Sequence, residues 1–268
     1  MAPWTKYSDR IRRSSRDKVA RLVDEVVAER QQPLLEEFER QRQAIDALTR
    51  SLEGLELRMR RDIPFASEAT AVTEAAEFAR REMPRVPSHP HPHDTLRFAL
   101  DKVEIPGLAL EFGVATGTTL EIIAGAASST PAIESVTGFD SFGGLPETWR
   151  TGFTAGTFAR ATPPVVPGAD IVVGLFDETL SPFLDNHSGT VSFLHLDADL
   201  YSSTDVVLRA LEGRIVPGTV IVFDEFFNYP GWQDHEKKAW DEFVARTGAT
   251  FEYLAYTSDN EQVAVRVT

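Results

Sequence analysis

Apolar positions follow two kinds of pattern along the chain, and the change falls near residue 94. Over residues 15–60 they recur at helical intervals: Val19, Leu22, Val23, Val26 and Val27 follow an i, i+3, i+4, i+7 pattern, and Ile45, Leu48, Leu52, Leu55 and Met59 step by three and four. The residues between them are mainly Glu, Arg, Gln, Leu and Ala, all helix formers. This predicts amphipathic helices and, over 45–59, a short coiled-coil seam. Pro33 predicts a break between two helices. Another helical stretch is expected around 67–83.

From residue 94 the texture becomes short apolar runs separated by helical segments. LALEFG (108–113), ESVTGF (134–139), ADIVVG (169–174), VSFLHLD (191–197) and TVIVFD (219–224) read as five strands. Their nearly continuous apolar character suits strands covered on both faces, as in a parallel sheet. Helices are expected after Gly117, Ser202 and Trp232. The closing FEYLAYTSDNEQVAVRVT is two alternating runs joined by a turn, a hairpin at the sheet edge. The expected architecture is a doubly wound α/β fold, Rossmann-like, with a mostly parallel seven-stranded sheet and an N-terminal helical extension. It divides into an extension over 1–63, a helix and Pro/His linker over 64–93, and a main domain over 94–268.

Two features qualify this division. In RVPSHPHPHDTLRF, His89, His91 and His93 alternate with proline, which favours extended backbone before it. A rigid connector is expected, with a metal-binding tract as the alternative. The extension could be an oligomerisation arm, a lid, or helices packed on their own domain.

Charge is unevenly divided. Residues 1–61 carry 14 Lys or Arg against 11 Asp or Glu, and residues 62–268 carry 13 against 30, so the main domain is strongly acidic. Such a domain repels a phosphate backbone, which argues against a nucleic-acid partner. Residues 1–21 are locally basic, as a solvated helix face would be. No cysteine is present, excluding a disulfide framework or a thiolate site. No run reaches the length of a signal peptide or a membrane span, so no membrane partner is expected and a cytoplasmic location is.

In an open α/β sheet, ligands bind at the carboxyl ends of the strands, and the chemistry-bearing residues gather at those positions. The first strand carries Glu111 and runs into Gly113 and Gly117, a turn that allows close approach of a ligand and tight entry into a helix. It lacks the third glycine of the dinucleotide pattern. Asp140, 23 residues after Gly117, sits where an acidic side chain accepts hydrogen bonds from ribose hydroxyls. Gly174 would leave room for a base and Phe176 would pack against it. Asp197 and Asp199 end the fourth strand, Asp224 and Glu225 the fifth. Crowded carboxylates repel unless a hard cation such as Mg²⁺ joins them or one keeps a proton and acts as a base. Asp199 has a third reading, at the start of the following helix.

LEFGVATGTT, GFDSFGGLPE, GLFDETL, FLHLDADLYSST and VIVFDEF, in this order, resemble class I S-adenosylmethionine-dependent O-methyltransferases of the macrocin O-methyltransferase type. The resemblance covers residues 94–268 and leaves residues 1–90 unaccounted for. It implies methylation of a hydroxyl on a sugar or glycosylated natural product. By position, it places Glu111, Gly113 and Gly117 around the methionine part of S-adenosylmethionine, and Asp140 at the ribose with Ser141 beside it. Mg²⁺ would be held by Asp197, Asp224 and Glu225, with Asp197 also the candidate base and His235 an alternative one. Glu225 stands where those relatives have Asp. Two other classes are compatible with the residues: a non-catalytic protein that binds S-adenosylmethionine, and a nucleotide-dependent oxidoreductase.

Overall fold

A computed structural model describes residues 4–268, with side chains from Arg12 onward; expectations for residues 1–3, and for the side chains before Arg12, lie outside the described residues. The chain divides into two compact units, one ending at Ala66 and the other spanning Ser67–Thr268.

The first unit is dominated by a single helix, α1 (Trp4–Arg61), followed by the start of α2 (Ile63–Glu82). The expected break at Pro33 does not occur: the proline lies inside the continuous helix. It forfeits one backbone hydrogen bond, while the flanking segments are strong helix formers that continue the helix on both sides. The apolar stripe of α1 is exposed along its length, with Leu22 at 60%, Ile45 at 63%, Leu48 at 62% and Leu52 at 59%.

The second unit is built on β1 (Ser88–His89), β2 (Gly107–Phe112), β3 (Ile133–Asp140), β4 (Asp170–Val173), β5 (Val191–Leu196), β6 (Val220–Phe223), β7 (Phe251–Thr257) and β8 (Val263–Val267). They form one sheet in the order β1-β7-β8-β6-β5-β2-β3-β4. Pairs from β4 through β6 are parallel, whereas β8 runs antiparallel to both of its neighbours. Each expected strand is present within two residues of its predicted ends. Two corrections concern the hairpin edge. The sheet has eight strands rather than seven, and the last strand inserts between β6 and β7 rather than lying at the margin.

The extra strand comes from the Pro/His stretch. Ser88 and His89 pair in parallel with Tyr256 and Thr257, and the His89 ring packs on Phe98 at 4.9 Å between centroids. His91 is the extended residue capping α3 (Pro92–Leu100), with Pro92 in the first turn, where its missing N–H costs nothing. The segment is therefore a sheet edge and a helix start within the second unit, rather than a connector outside it.

Helices α4 (Thr118–Ala127), α5 (Phe176–Asn186), α6 (Tyr201–Ala210) and α7 (Glu236–Thr247) complete the unit. Successive residues on each buried strand point to opposite faces and enter two cores. Leu110, Phe112, Leu194, Leu196, Ile221 and Phe223 pack in one with α5, α6, α7 and Phe78 of α2. Ala109, Phe193, Val220 and Val222 pack in the other with α3 and α4. Among the described residues no helix is long and apolar enough to cross a membrane.

Candidate active site

The chain leaves β2 toward β3 and β4 on one side, then returns to β5 and β6 on the other, so the point of reversal lies between β2 and β5. A crevice forms at such a point because the two crossovers diverge. Here it is a cavity of about 530 Å³, bordered by the carboxyl ends of five strands. That size is typical of a small-molecule site.

The floor is the turn after β2. Gly113 has φ +96°, and a Cβ there would overlap the carbonyl oxygen of Asp197, so only glycine lets β2 and β5 stay this close. Ala115, with φ +43°, also adopts the left-handed region, and Gly117 caps α4 at φ +84°. Asp140 holds this turn from β3. Its Oδ2 accepts hydrogen bonds from the Val114 and Ala115 amides at 3.0 and 2.8 Å, and its Oδ1 accepts one from Phe142 N at 2.6 Å. Gly113, Ala115, Asp140, Ser141, Gly174 and Phe176 all line the cavity. Phe176 meets Phe112 edge-on at 5.2 Å. Gly117 does not line it; a Cβ there would press on Pro164 and Val166.

Carboxylates gather at the ends of β5 and β6 in the same cavity. One oxygen each from Asp197, Asp199 and Glu225 lie within 4.8 Å of one another, and all three residues face the cavity. Burial and the Asp224 charge push Asp197 and Glu225 well above the ordinary carboxylate range, and the same causes raise Asp199 to about 7. The helix-start reading of Asp199 is not what the structure adopts. Leu200 caps α6, and Asp199 takes φ +58°, a conformation Asp tolerates, with its carboxylate in the cluster.

Asp224 is not one of that trio, although its charge acts on all three. It borders the cavity, but its Oδ1 is 3.5 Å from His195 Nε2. On its other side His195 places Nδ1 2.9 Å from Glu111 Oε1. Glu111 pairs with His195 in the β2–β5 register, and Asp224 lies two residues beyond the β6 partner of His195, so the three share one face of the sheet. Glu111 and His195 are almost fully buried. Burial opposes the imidazolium, but the Asp224 and Glu111 hydrogen bonds outweigh it and hold His195 well above its ordinary value. Burial also opposes the Asp224 charge, yet His195 outweighs it and brings that carboxyl below its usual range. Glu111 does not reach the cavity, so its contact is with this ion chain. Acid, base and acid in a row across three strands escape periodicity analysis, because His195 reads simply as one more residue of an apolar strand.

His235, at the start of α7, is half-buried and does not border the cavity. Its ring faces Trp149 and Tyr229 at 6.4 and 6.0 Å, and burial lowers its pKa. Trp149 in turn lines the mouth of the cavity with Phe153 and Phe158. The segment bearing these rings is pinned by Arg150, which stacks on Trp149 at 3.9 Å and forms two hydrogen bonds, at 3.0 and 3.2 Å, with Glu261. Sequence spacing offered no sign of a pair 111 residues apart.

Residues 110–226 match the family model described as Methyltransferase domain. The chain carries the class I methyltransferase fold. Two solved structures are similar to this methyltransferase fold over most of their length. The O-methyltransferase NovP aligns with a TM-score of 0.52 and 22% identity, covering 65% of this chain and 78% of its own. CalS11, described as a calicheamicin methyltransferase, aligns with a TM-score of 0.52 and 23% identity, covering 79% and 89%. No curated protein matches the chain.

The raised carboxyl of Asp199 has a measurable consequence. Its folded-state pKa of about 7 exceeds its unfolded value, so between the two the folded state holds a proton that the unfolded chain has released. Stability is therefore lost as pH rises through that window. In chelator, the melting temperature should be higher near about pH 5.5 than near about pH 7.5, and Asp199→Asn should reduce the difference. An unchanged difference in the variant would remove Asp199 from this role.

Proposed function

We propose that the protein transfers a methyl group from S-adenosylmethionine to a hydroxyl of a small-molecule acceptor, as enzymes of the macrocin O-methyltransferase type do on sugars and glycosylated natural products. The observation carrying this reading is the convergence of Asp197, Asp199 and Glu225 on the cavity that the glycine turn also lines. The similarity to NovP and CalS11, one named an O-methyltransferase and the other a calicheamicin methyltransferase, supports it. The aromatic mouth suits the apolar face of a sugar ring, and the acidic domain disfavours a nucleic-acid acceptor.

Gly113 and Ala115 admit the methionine part beside the β2 turn, Phe176 packs against the adenine, and Asp140 receives the ribose hydroxyls. Among the described residues its Oδ1 accepts one hydrogen bond, which leaves capacity for that contact. Asp197, raised by burial, takes the proton of the acceptor hydroxyl as its oxygen attacks the methyl carbon and the bond to sulfur breaks. The cavity walls hold oxygen, carbon and sulfur in line, which contributes much of the acceleration.

The trio also fits a hard divalent cation such as Mg²⁺, since Glu225 Oε2 is buried without a hydrogen-bond partner among the described residues. Asp197, Asp199 and Glu225 would hold it. Bound there, it would offset their repulsion and lower the pKa of the acceptor hydroxyl. Asp224, engaged by His195, would support the site from behind.

Calorimetry with S-adenosylhomocysteine, with and without Mg²⁺, tests the reading. Binding of S-adenosylhomocysteine and none of NAD is expected. NAD binding in its place would favour the oxidoreductase alternative, and cofactor binding with no turnover on any hydroxylated acceptor would favour a binding protein.

The 3–4 spacing and exposure of the apolar stripe on α1 lead us to propose that this helix pairs with the same helix of a second copy. Light scattering should give a dimeric mass for the full chain, and Leu48→Glu with Leu52→Glu should reduce it to that of one chain. An unchanged mass in the double variant would exclude this seam.

A further inference from the structure

We infer that Glu236 is the positioning residue of the carboxylate cluster: from the first turn of α7, one buried side chain holds the loops after β5 and β6 at the separation that brings Asp197, Asp199 and Glu225 together. The inference rests on the proposed use of that cluster as a cation site and adds a residue to it.

Glu236 is fully buried and does not border the cavity, so it touches neither cofactor nor acceptor. Its two oxygens are divided between two loops. Oε1 accepts from Ala198 N at 3.4 Å, and Oε2 accepts from Glu225 N at 3.1 Å. Ala198 lies between Asp197 and Asp199 in the chain, so the first bond sets the backbone from which both side chains project. The second fixes the backbone of Glu225 itself. The β5–β6 ladder ends at Leu196 and Phe223, apart from one further bond from Asp224 N to Leu196 O. Beyond that bond, among the described residues, the Glu236 carboxylate bridges the two loops.

The choice of residue is costly, which is why it is informative. No Lys, Arg or His among the described residues forms an ion pair with Glu236, and it sits beside carboxylates that repel it. A glutamine there would turn one of the two acceptor atoms into a donor facing an amide N–H, and an apolar side chain would leave both amides unpaired. Burying a carboxylate for two backbone bonds makes structural sense only if the spacing they set matters. It also accounts for the position of α7, whose first residue has to reach both loops.

The test uses the full chain carrying Glu236→Gln or Glu236→Ala. Titration with Mn²⁺ reads the cluster, titration with S-adenosylhomocysteine reads the cofactor side, and thermal melting reads the fold. Mn²⁺ affinity should fall at least tenfold in Glu236→Ala and by less in Glu236→Gln, which keeps one acceptor, while S-adenosylhomocysteine affinity changes less than twofold in both. If Glu236→Ala does not fold, Glu236→Gln carries the comparison alone. Unchanged Mn²⁺ affinity in folded variants would overturn the inference, and so would a parallel loss of both ligands. Wild-type protein that binds S-adenosylhomocysteine but no divalent cation would also overturn it, leaving the methyltransferase reading intact.

Discussion

Asp197→Asn is expected to lower methyl transfer by about a hundredfold to ten-thousandfold, the usual contribution of a positioned general base. Asparagine matches aspartate in shape, so packing around the end of β5 should survive. What it loses is proton affinity and one negative charge beside Asp199 and Glu225. Affinity for S-adenosylhomocysteine should change little, because asparagine keeps the shape of the side chain beside Gly113 and leaves Asp140 and Phe176 in place. Steady-state turnover with a hydroxylated acceptor, alongside calorimetry of the cofactor, separates the two effects. Near-normal turnover, together with indifference to chelators, would defeat both roles proposed for Asp197 and redirect attention to His235.

His195→Leu should cost about 3–5 kcal/mol of folding stability, because it removes the cation held between the buried Glu111 and the part-buried Asp224. For a unit of this size, that corresponds to a fall in melting temperature of roughly 10 °C. The contribution has a defined pH window. The folded-state pKa of His195 lies well above its ordinary value, so its stabilisation is complete below that ordinary value and is lost as pH rises through the folded one. Urea unfolding of His195→Leu, Glu111→Gln and the double variant measures the coupling. Removing one carboxylate as well should recover part of the loss, since the penalty lies in unpaired charge rather than in a missing contact. Purely additive effects would mean that the three groups do not act as a chain.

Both expectations concern residues whose importance was unequally visible along the chain. Asp197 stood out because an acid at the end of a continuous apolar strand breaks the pattern. His195, two residues earlier, was hidden within it. Its role depends on Glu111, 84 residues distant, and on Asp224 from a third strand. Glu236 was equally hidden, since a glutamate in a first helical turn reads as ordinary compensation of the helix dipole. Asp199 illustrates the opposite error. The residue before a helix suggests a cap, but a left-handed backbone turned its carboxylate into the cluster instead. Pro33 misled for a related reason, since a proline interrupts hydrogen bonding locally without obliging a long helix to end.

The linear pattern by itself determined where the strands and most helices lie, which residues stand at the carboxyl ends of the sheet, and that positive and negative charge occupy different parts of the chain. Those properties depend on periods of two to four residues and on turn chemistry, which act between near neighbours. Tertiary structure alone decided that β8 enters between β6 and β7, that Asp199 joins Asp197 and Glu225 while Asp224 turns to His195, and that one glutamate on α7 spans two loops. Each of these depends on strand register and helix docking between distant residues, where a shift of one position sends a side chain to the opposite face.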